Sequence, residues 1–258
     1  MTNSRFPQFP GVDAALDALL GGVRGVVGPW LVGLYLNGSL AAGDYTPGRS
    51  DIDFIAVTTE DLPADLLPAL AQMHAAIAQN HPLLVHSPIE GSYIPLADLR
   101  RWDPRRSNHP HLGADGHFAI EVHGSDWVIQ RYLLLRFGLP LCGPPLEGMI
   151  DPVEPEALRA AAKGILREWW APRLDDPADL VTDEYQVYTV LTMCRSLYTI
   201  RRGAVAAKCD AAAWAIDVLP APWPELIEQA RTWRQGGQFD RLDDSLAFLR
   251  FTLAEAGL

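Results

Sequence analysis

An α/β half followed by an all-α half is the fold this sequence predicts, and three observations carry the prediction. Up to about residue 137, short apolar runs of strand character alternate with amphipathic helical stretches. From Pro155 onward every periodic stretch has helical spacing, and no strand alternation survives. Between the two, residues 140–155 hold several prolines and a glycine and read as a linker. That places a mixed sheet with helices in residues 1–150 and a helical bundle in residues 151–258.

Taken in order, Val12–Val27 has Leu16, Leu19, Leu20 and Val23 on one helical face. Leu31–Leu36 reads as a strand, and a second apolar run opens at Ser50-Asp51-Ile52-Asp53. Residues 62–79 read as an amphipathic helix and 89–96 (IEGSYIPL) as a short third strand. Residues 100–124 are irregular and polar, long enough for a functional loop. Asp126–Phe137 returns to helix, and helices follow over 155–170, 183–202, 210–218, 223–234 and 242–256.

Composition narrows the function classes. Of 258 residues, 48% are hydrophobic and 21% charged, which predicts a packed core and not disorder. The formal charge of −11 suits a small cationic partner better than a nucleic-acid backbone, which demands a basic groove. Cys142, Cys194 and Cys209 are odd in number and widely spaced, as in a reduced, cytoplasmic protein. Residues 1–10 lack the layout of a signal peptide, and no apolar stretch approaches the ~18 residues that span a bilayer. A monomer or weak dimer without nucleic-acid or membrane partners is expected.

The most informative stretch is NGSLAAGDYTPGRSDIDFIAV, residues 37–57. Strand residues alternate faces, so Asp51 and Asp53 point one way while Ile52 and Phe54 point the other. Two carboxylates that close raise each other's pKa unless a cation sits between them. Oxygen ligands at this spacing suit Mg²⁺, which takes one or two carboxylates together with substrate phosphates. The Gly38-Ser39 turn offers backbone N–H groups and a hydroxyl that suit a phosphate. Together these describe a site for a nucleoside triphosphate and its metal.

Hydrophobic-Gly-Ser, about a dozen residues, then Asp-x-Asp between apolar residues resembles the signature of the DNA-polymerase-β-like nucleotidyltransferases. The resemblance implies a nucleotidyltransferase domain in residues 1–150, with Gly38, Ser39 and Ser50 at the nucleotide and Asp51 and Asp53 as catalytic metal ligands. A third carboxylate is needed, because the acceptor hydroxyl must lose a proton. Glu90 opens the third strand, where a sheet of this type would bring it beside Asp51 and Asp53 as a further metal ligand. In aminoglycoside adenylyltransferases a glutamate on the corresponding strand is the general base, which points to Glu90, with Glu121 in reserve.

The segment YTVLTMCRSLYTIRRGAVAAKCDAAAWAIDVLP, residues 188–220, resembles the C-terminal domain of streptomycin/spectinomycin adenylyltransferases. Leu191, Thr192, Arg195, Tyr198, Gly203, Lys208, Ala212, Trp214 and Ala215 fall in register with that pattern. The resemblance implies that Arg195 and Lys208 reach across an interdomain cleft to the triphosphate. Tyr198 and Trp214 read as helix core. Where the family carries an Asp and a His, this chain has Tyr185 and Tyr188, with Asp183 and Glu184 just upstream as acids for a cationic acceptor. Residues 97–125 match the family poorly. Their histidines (His109, His111, His117, His123) lack the spacing of a zinc site and read as loop residues near the substrate, along with Trp102 and Trp127.

The expected activity is Mg²⁺-dependent transfer of AMP from ATP to a hydroxyl of an aminoglycoside-like, cationic small molecule. The alternatives are a nucleotidyltransferase acting on a protein or other non-antibiotic acceptor, and a nucleotide-binding regulator that keeps the fold without the chemistry.

Overall fold

In the computed structural model, which describes residues 5–234 and 236–258, the first half is built round a mixed six-stranded sheet. In chain order the elements are α1 (Val12–Val27), β1 (Leu31–Leu36), α2 (Gly38–Ala42), β2 (Ile52–Thr58), α3 (Leu67–Asn80) and β3 (Ile89–Pro95). There follow α4 (Leu96–Arg100), β4 (Asn108–Leu112), β5 (Phe118–Val122), α5 (Asp126–Phe137) and β6 (Leu139–Cys142). The strand order is β5-β4-β3-β2-β1-β6; β2 and β3 run parallel, joined through α3, and the other neighbours are antiparallel.

The binary pattern explains the layering. Leu16, Leu19 and Val23 of α1 and Leu70 and Ile77 of α3 bury against Leu34, Leu36, Ile52, Phe54 and Ala56 of the sheet. One polar pair lies within the aromatic part of this layer. His74 is hydrogen-bonded to the Tyr93 hydroxyl at 2.8 Å and stacked near Phe54 and Phe118. Burial pulls His74 down to about 4 and pushes Tyr93 up, so both are neutral and each satisfies the other.

The sequence prediction needs two corrections here. Residues 100–124 are not an irregular loop, since they contain β4 and β5. Strand β4 reads NHPHL, with no β-branched residue and a proline, so it carries none of the usual strand signals. Pro110 is tolerated because the β3–β4 ladder covers only Gly91–Leu112 and Ser92–His111; Pro110 lies beyond it. Residues 140–155 are likewise not all linker, because β6 adds an edge strand to β1, where Pro140 costs little.

The second half is helical: α6 (Pro155–Ile165), continued by a π turn over Leu166–Trp170, then α7 (Asp183–Arg202), α8 (Lys208–Val218), α9 (Trp223–Thr232) and α10 (Leu242–Ala256). The longest helix, α7, starts at Thr182, whose hydroxyl accepts the Tyr185 N–H, and ends at Gly203 in the left-handed region (φ 65°). Its Val187, Val190, Cys194 and Leu197 form a core with Trp170, Ala211, Ala215, Ile227, Phe248 and Leu249. Tyr198 and Trp214 pack edge to face at 5.3 Å against this core, as the periodicity predicts.

The residues group into two units: one of residues up to 123 with 130–152, the other of 124–129 with 153–258. They are called the sheet unit and the helical unit below. Among the described residues, no helix is long and apolar enough to cross a membrane.

Candidate active site

The sheet topology gathers the acidic residues at one end. Strand β1 is antiparallel to β2 and β2 is parallel to β3, so the end of β1 meets the starts of the other two. The Asn37 N–H donates to the Asp53 carbonyl at 3.1 Å, and Asp53 stands opposite Glu90 in the β2–β3 register. Alternation does the rest: Ile52 and Phe54 are buried in the α1–α3 layer, while Asp51, Asp53 and Glu90 are half-buried on the opposite face.

The Gly-Ser turn closes on the same spot. Gly38 has φ 63°, and a Cβ placed on it would lie 1.9 Å from Asp53 Oδ2. Only glycine allows both the backbone conformation and this approach. Beside it, Ser39 Oγ and Asn37 Oδ1 are buried without a hydrogen-bond partner among the described residues. Buried polar atoms are nearly always satisfied, so two orphans on one turn are atoms waiting for a ligand or water. The Ser50 hydroxyl instead accepts from the Thr46 N–H at 3.1 Å, and so also holds the turn before β2.

Glu90 is the perturbed group of this cluster. Burial raises its pKa to about 7, and the charge of Asp51, a hydrogen bond to Asp51 and the charges of Glu121 and Asp115 push the same way. A carboxyl near pH 7 is the kind that accepts a proton under physiological conditions. Asp51 and Asp53 beside Glu90 offer oxygen donors of the chemical type that Mg²⁺ takes, although the one group of three donors that lies within 4.8 Å among the described residues is elsewhere, at Asp61, Asp98 and His109.

Behind Glu90 lies a histidine pair. His111 Nε2 is 3.8 Å from Glu90 Oε1 and 4.0 Å from Glu121 Oε2. The Ser92 hydroxyl bonds His111 Nδ1 at 2.9 Å and His123 Nε2 at 2.7 Å. Burial, with the charges of His109 and His111, lowers His123 to about 4. Trp102 Nε1 donates to the His123 carbonyl at 3.1 Å. Ser92 escaped the sequence reading although its signal was available, since it lies two residues from Glu90 and thus on the same strand face. His111 and His123 were legible only as loop residues; the β3–β4 register brings His111 to Glu90, and the Ser92 hydroxyl joins His123 to His111. Trp127 is core, 2% exposed, and not a platform for a ring. Asp61, Asp98 and His109 bring three donor atoms within 4.8 Å of one another, but Arg106 already bridges the two carboxylates.

In the helical unit, Tyr188, Thr192 and Arg195 share a face of α7 at i, i+4 and i+7. Burial lowers the Arg195 pKa while the Tyr188 charge opposes it, and no carboxylate pairs with Arg195 among the described residues. Lys208 opens α8 and holds its ammonium 4.6 Å from the centroid of the Tyr188 ring. Tyr185 and Tyr188 lie together, ring centroids 5.4 Å apart. Asp183 turns to another task, with Oδ1 accepting the Asp240 N–H at 3.0 Å, and Glu184 is exposed.

Comparison with known proteins adds relatives. Residues 148–254 match the family model described as aminoglycoside adenylyltransferase, C-terminal domain. The chain is 28% identical over 242 residues to an aminoglycoside (3'')(9) adenylyltransferase of Escherichia coli, covering 90% of this chain and 88% of that one. A protein of the same description from Rhizobium radiobacter is 34% identical over 119 residues, 45% of this chain and 42% of its own. The solved structure of a spectinomycin adenyltransferase from Enterococcus faecialis, with ATP and spectinomycin, has a TM-score of 0.72 at 20% identity. It covers 93% of this chain and 98% of its own, and shares the fold. With that fold and these relatives the chain is a nucleotidyltransferase. More narrowly, its C-terminal part matches the aminoglycoside adenylyltransferase family model, and most of its length is similar to aminoglycoside adenylyltransferases.

Proposed function

We propose that this enzyme transfers AMP from ATP to a hydroxyl of a cationic, aminoglycoside-like small molecule, in a Mg²⁺-dependent reaction. The observation that carries the reading is Glu90, raised to about 7 beside Asp51 and in register with Asp53. Asp51, Asp53 and Glu90 are the residues that would hold Mg²⁺, which would offset charge on the triphosphate. Glu90 takes the proton of the acceptor hydroxyl as that oxygen bonds to the α-phosphorus and the bond to pyrophosphate breaks. Gly38 and the orphaned Ser39 hydroxyl face the phosphates, with Ser50 shaping the loop. Arg195 and Lys208 offset the charge that grows on the leaving pyrophosphate. For the acceptor, the acids Asp183 and Glu184 supply attraction, and Tyr185 and Trp102 supply flat faces for a sugar.

The test is pyrophosphate release from ATP and Mg²⁺ across a panel of aminoglycosides that includes streptomycin and spectinomycin. The expected result is release that requires both an acceptor and Mg²⁺, with the acceptor gaining one AMP by mass spectrometry. Acceptor-independent hydrolysis alone, or AMP found on protein side chains, would overturn the acceptor class.

A further inference from the structure

Deepening that reading, and resting on it for the role of Lys208, we infer that Tyr188 is a positioning residue for the nucleotide-side lysine, not a contact for the acceptor. The family resemblance pointed Tyr188 at the acceptor, because it stands, with Tyr185, where the family carries an Asp and a His. The structure gives its ring a different occupant: the Lys208 ammonium lies 4.6 Å from the ring centroid. That is well inside the range at which an aromatic face attracts a cation.

The ring is itself held in place. Trp170, 1% exposed, flanks it at 6.0 Å between centroids, and Tyr185 lies at 5.4 Å on another side. A fixed ring matters for a lysine more than for most cations. Its four-carbon stem has many rotamers, and a free ammonium would be frozen only when the phosphate arrives. An aromatic face that gathers the ammonium beforehand removes part of that ordering cost from binding. An aromatic face attracts the ammonium through its quadrupole, so it orders Lys208 without cancelling the charge the phosphates need. A carboxylate in its place would order the lysine and cancel it.

Two further observations place Tyr188 in a polar, anion-directed face and not in an acceptor platform. Arg195, two turns along the same face of α7, pairs with no carboxylate among the described residues. Between them Thr192 Oγ1 is buried without a hydrogen-bond partner. Tyr188, Thr192, Arg195 and Lys208 therefore form one set: two cations, one unsatisfied hydroxyl and one ring that orders a cation.

The experiment is isothermal titration of ATP with Mg²⁺ into the wild type, Tyr188→Phe, Tyr188→Ala, Lys208→Ala and the Tyr188→Ala/Lys208→Ala double variant. Steady-state KM for ATP and for the acceptor is measured on the same proteins. Tyr188→Ala is expected to weaken ATP binding about 3- to 10-fold, with acceptor KM unchanged within about 2-fold. Tyr188→Phe keeps the ring and should keep wild-type affinity, which excludes a role carried by the hydroxyl. In the Lys208→Ala background, Tyr188→Ala should cost nothing further, which separates positioning of the lysine from general support of the helix. A rise in acceptor KM with unchanged ATP affinity would overturn the inference and return Tyr188 to the acceptor site. Additive losses in the double variant would overturn it too. If the wild type itself gave no ATP binding, the reading of the whole site would fall, a result distinct from either.

Discussion

The two units solve the problem of buried polarity in opposite ways. The sheet unit holds all seven histidines of the chain, at 74, 81, 86, 109, 111, 117 and 123, and the helical unit has none. In the sheet unit, buried histidines are kept neutral and bonded, His74 to Tyr93 and His123 to Ser92, and the acids crowd together at one end of β2 and β3. In the helical unit one buried cation, Arg195, pairs with no carboxylate among the described residues and shares a face of α7 with an unsatisfied threonine. One unit gathers proton acceptors at the start of β2 and β3, and the other sets two cations, Arg195 and Lys208, about Tyr188. Their sensitivities to mutation and pH should therefore differ.

The sharpest way to break this contrast is to remove one acid. Asp51→Asn or Asp53→Asn should abolish AMP transfer while leaving the melting temperature near that of the wild type, because size is kept and crowding is relieved. Turnover assayed beside a thermal melt checks both halves of the claim. Near-wild-type turnover would mean that the acids are structural.

Glu90→Gln should lower kcat by roughly 10²–10⁴-fold, with ATP affinity nearly intact. It should also stabilise the Mg²⁺-free protein at pH 8. The folded pKa of Glu90, about 7, lies above its ordinary value of 4.5. Its contribution is therefore full below pH 4.5 and is lost as pH rises through 7, and removing the ionised group at pH 8 should gain on the order of 1 kcal/mol. Chemical denaturation of both proteins at pH 5 and pH 8 measures it; a gain at pH 5 but not at pH 8 would contradict the sign.

A substitution that keeps both acids but displaces one of them sharpens the geometric side. Gly38→Ala puts a methyl where Asp53 Oδ2 lies and strains a left-handed backbone position. A displacement of about 1 Å at a reacting centre costs roughly 10²-fold in rate. Kinetics of Gly38→Ala should show that loss chiefly in kcat. A loss confined to stability would assign Gly38 to the turn alone.

Acidification should separate the two units with the smallest effect of the four. His74 and His123 are each held near 4 by burial, below the ordinary 6.5. A base with a depressed folded pKa stabilises fully above 6.5, and that stability is lost as pH falls toward 4. The sheet unit should lose a few kcal/mol over this window, while the histidine-free unit follows only its acids. Hydrogen exchange at pH 7 and pH 5 should show faster opening in β2 and β3 than in α7. Uniform acceleration across both would mean that acid unfolding is not set by the histidines.

Local pattern determined a good deal of this protein. Alternation in Asp51-Ile52-Asp53-Phe54 put the carboxylates on one face, because side chains in a strand have a period of two. The helical periodicity of residues 183–202 and 242–256 gave the helical half, and the motif at residues 37–57 with the pattern at 188–220 gave the resemblance to the adenylyltransferases. Tertiary structure decided what depends on residues distant in sequence. Strand β4 carries no local strand signal, so only its ladder with β5 makes it a strand, and only its contact with β3 brings His111 to Glu90. The value of about 7 at Glu90 comes from burial and from acids up to 39 residues away in either direction, which no spacing encodes. The ring of Tyr188 looked free for an acceptor until the fold of α8 over α7 laid Lys208 on it. Periodicity fixes which face a side chain occupies; only packing decides what that face meets, because contacts are made between elements that the chain brings together from afar.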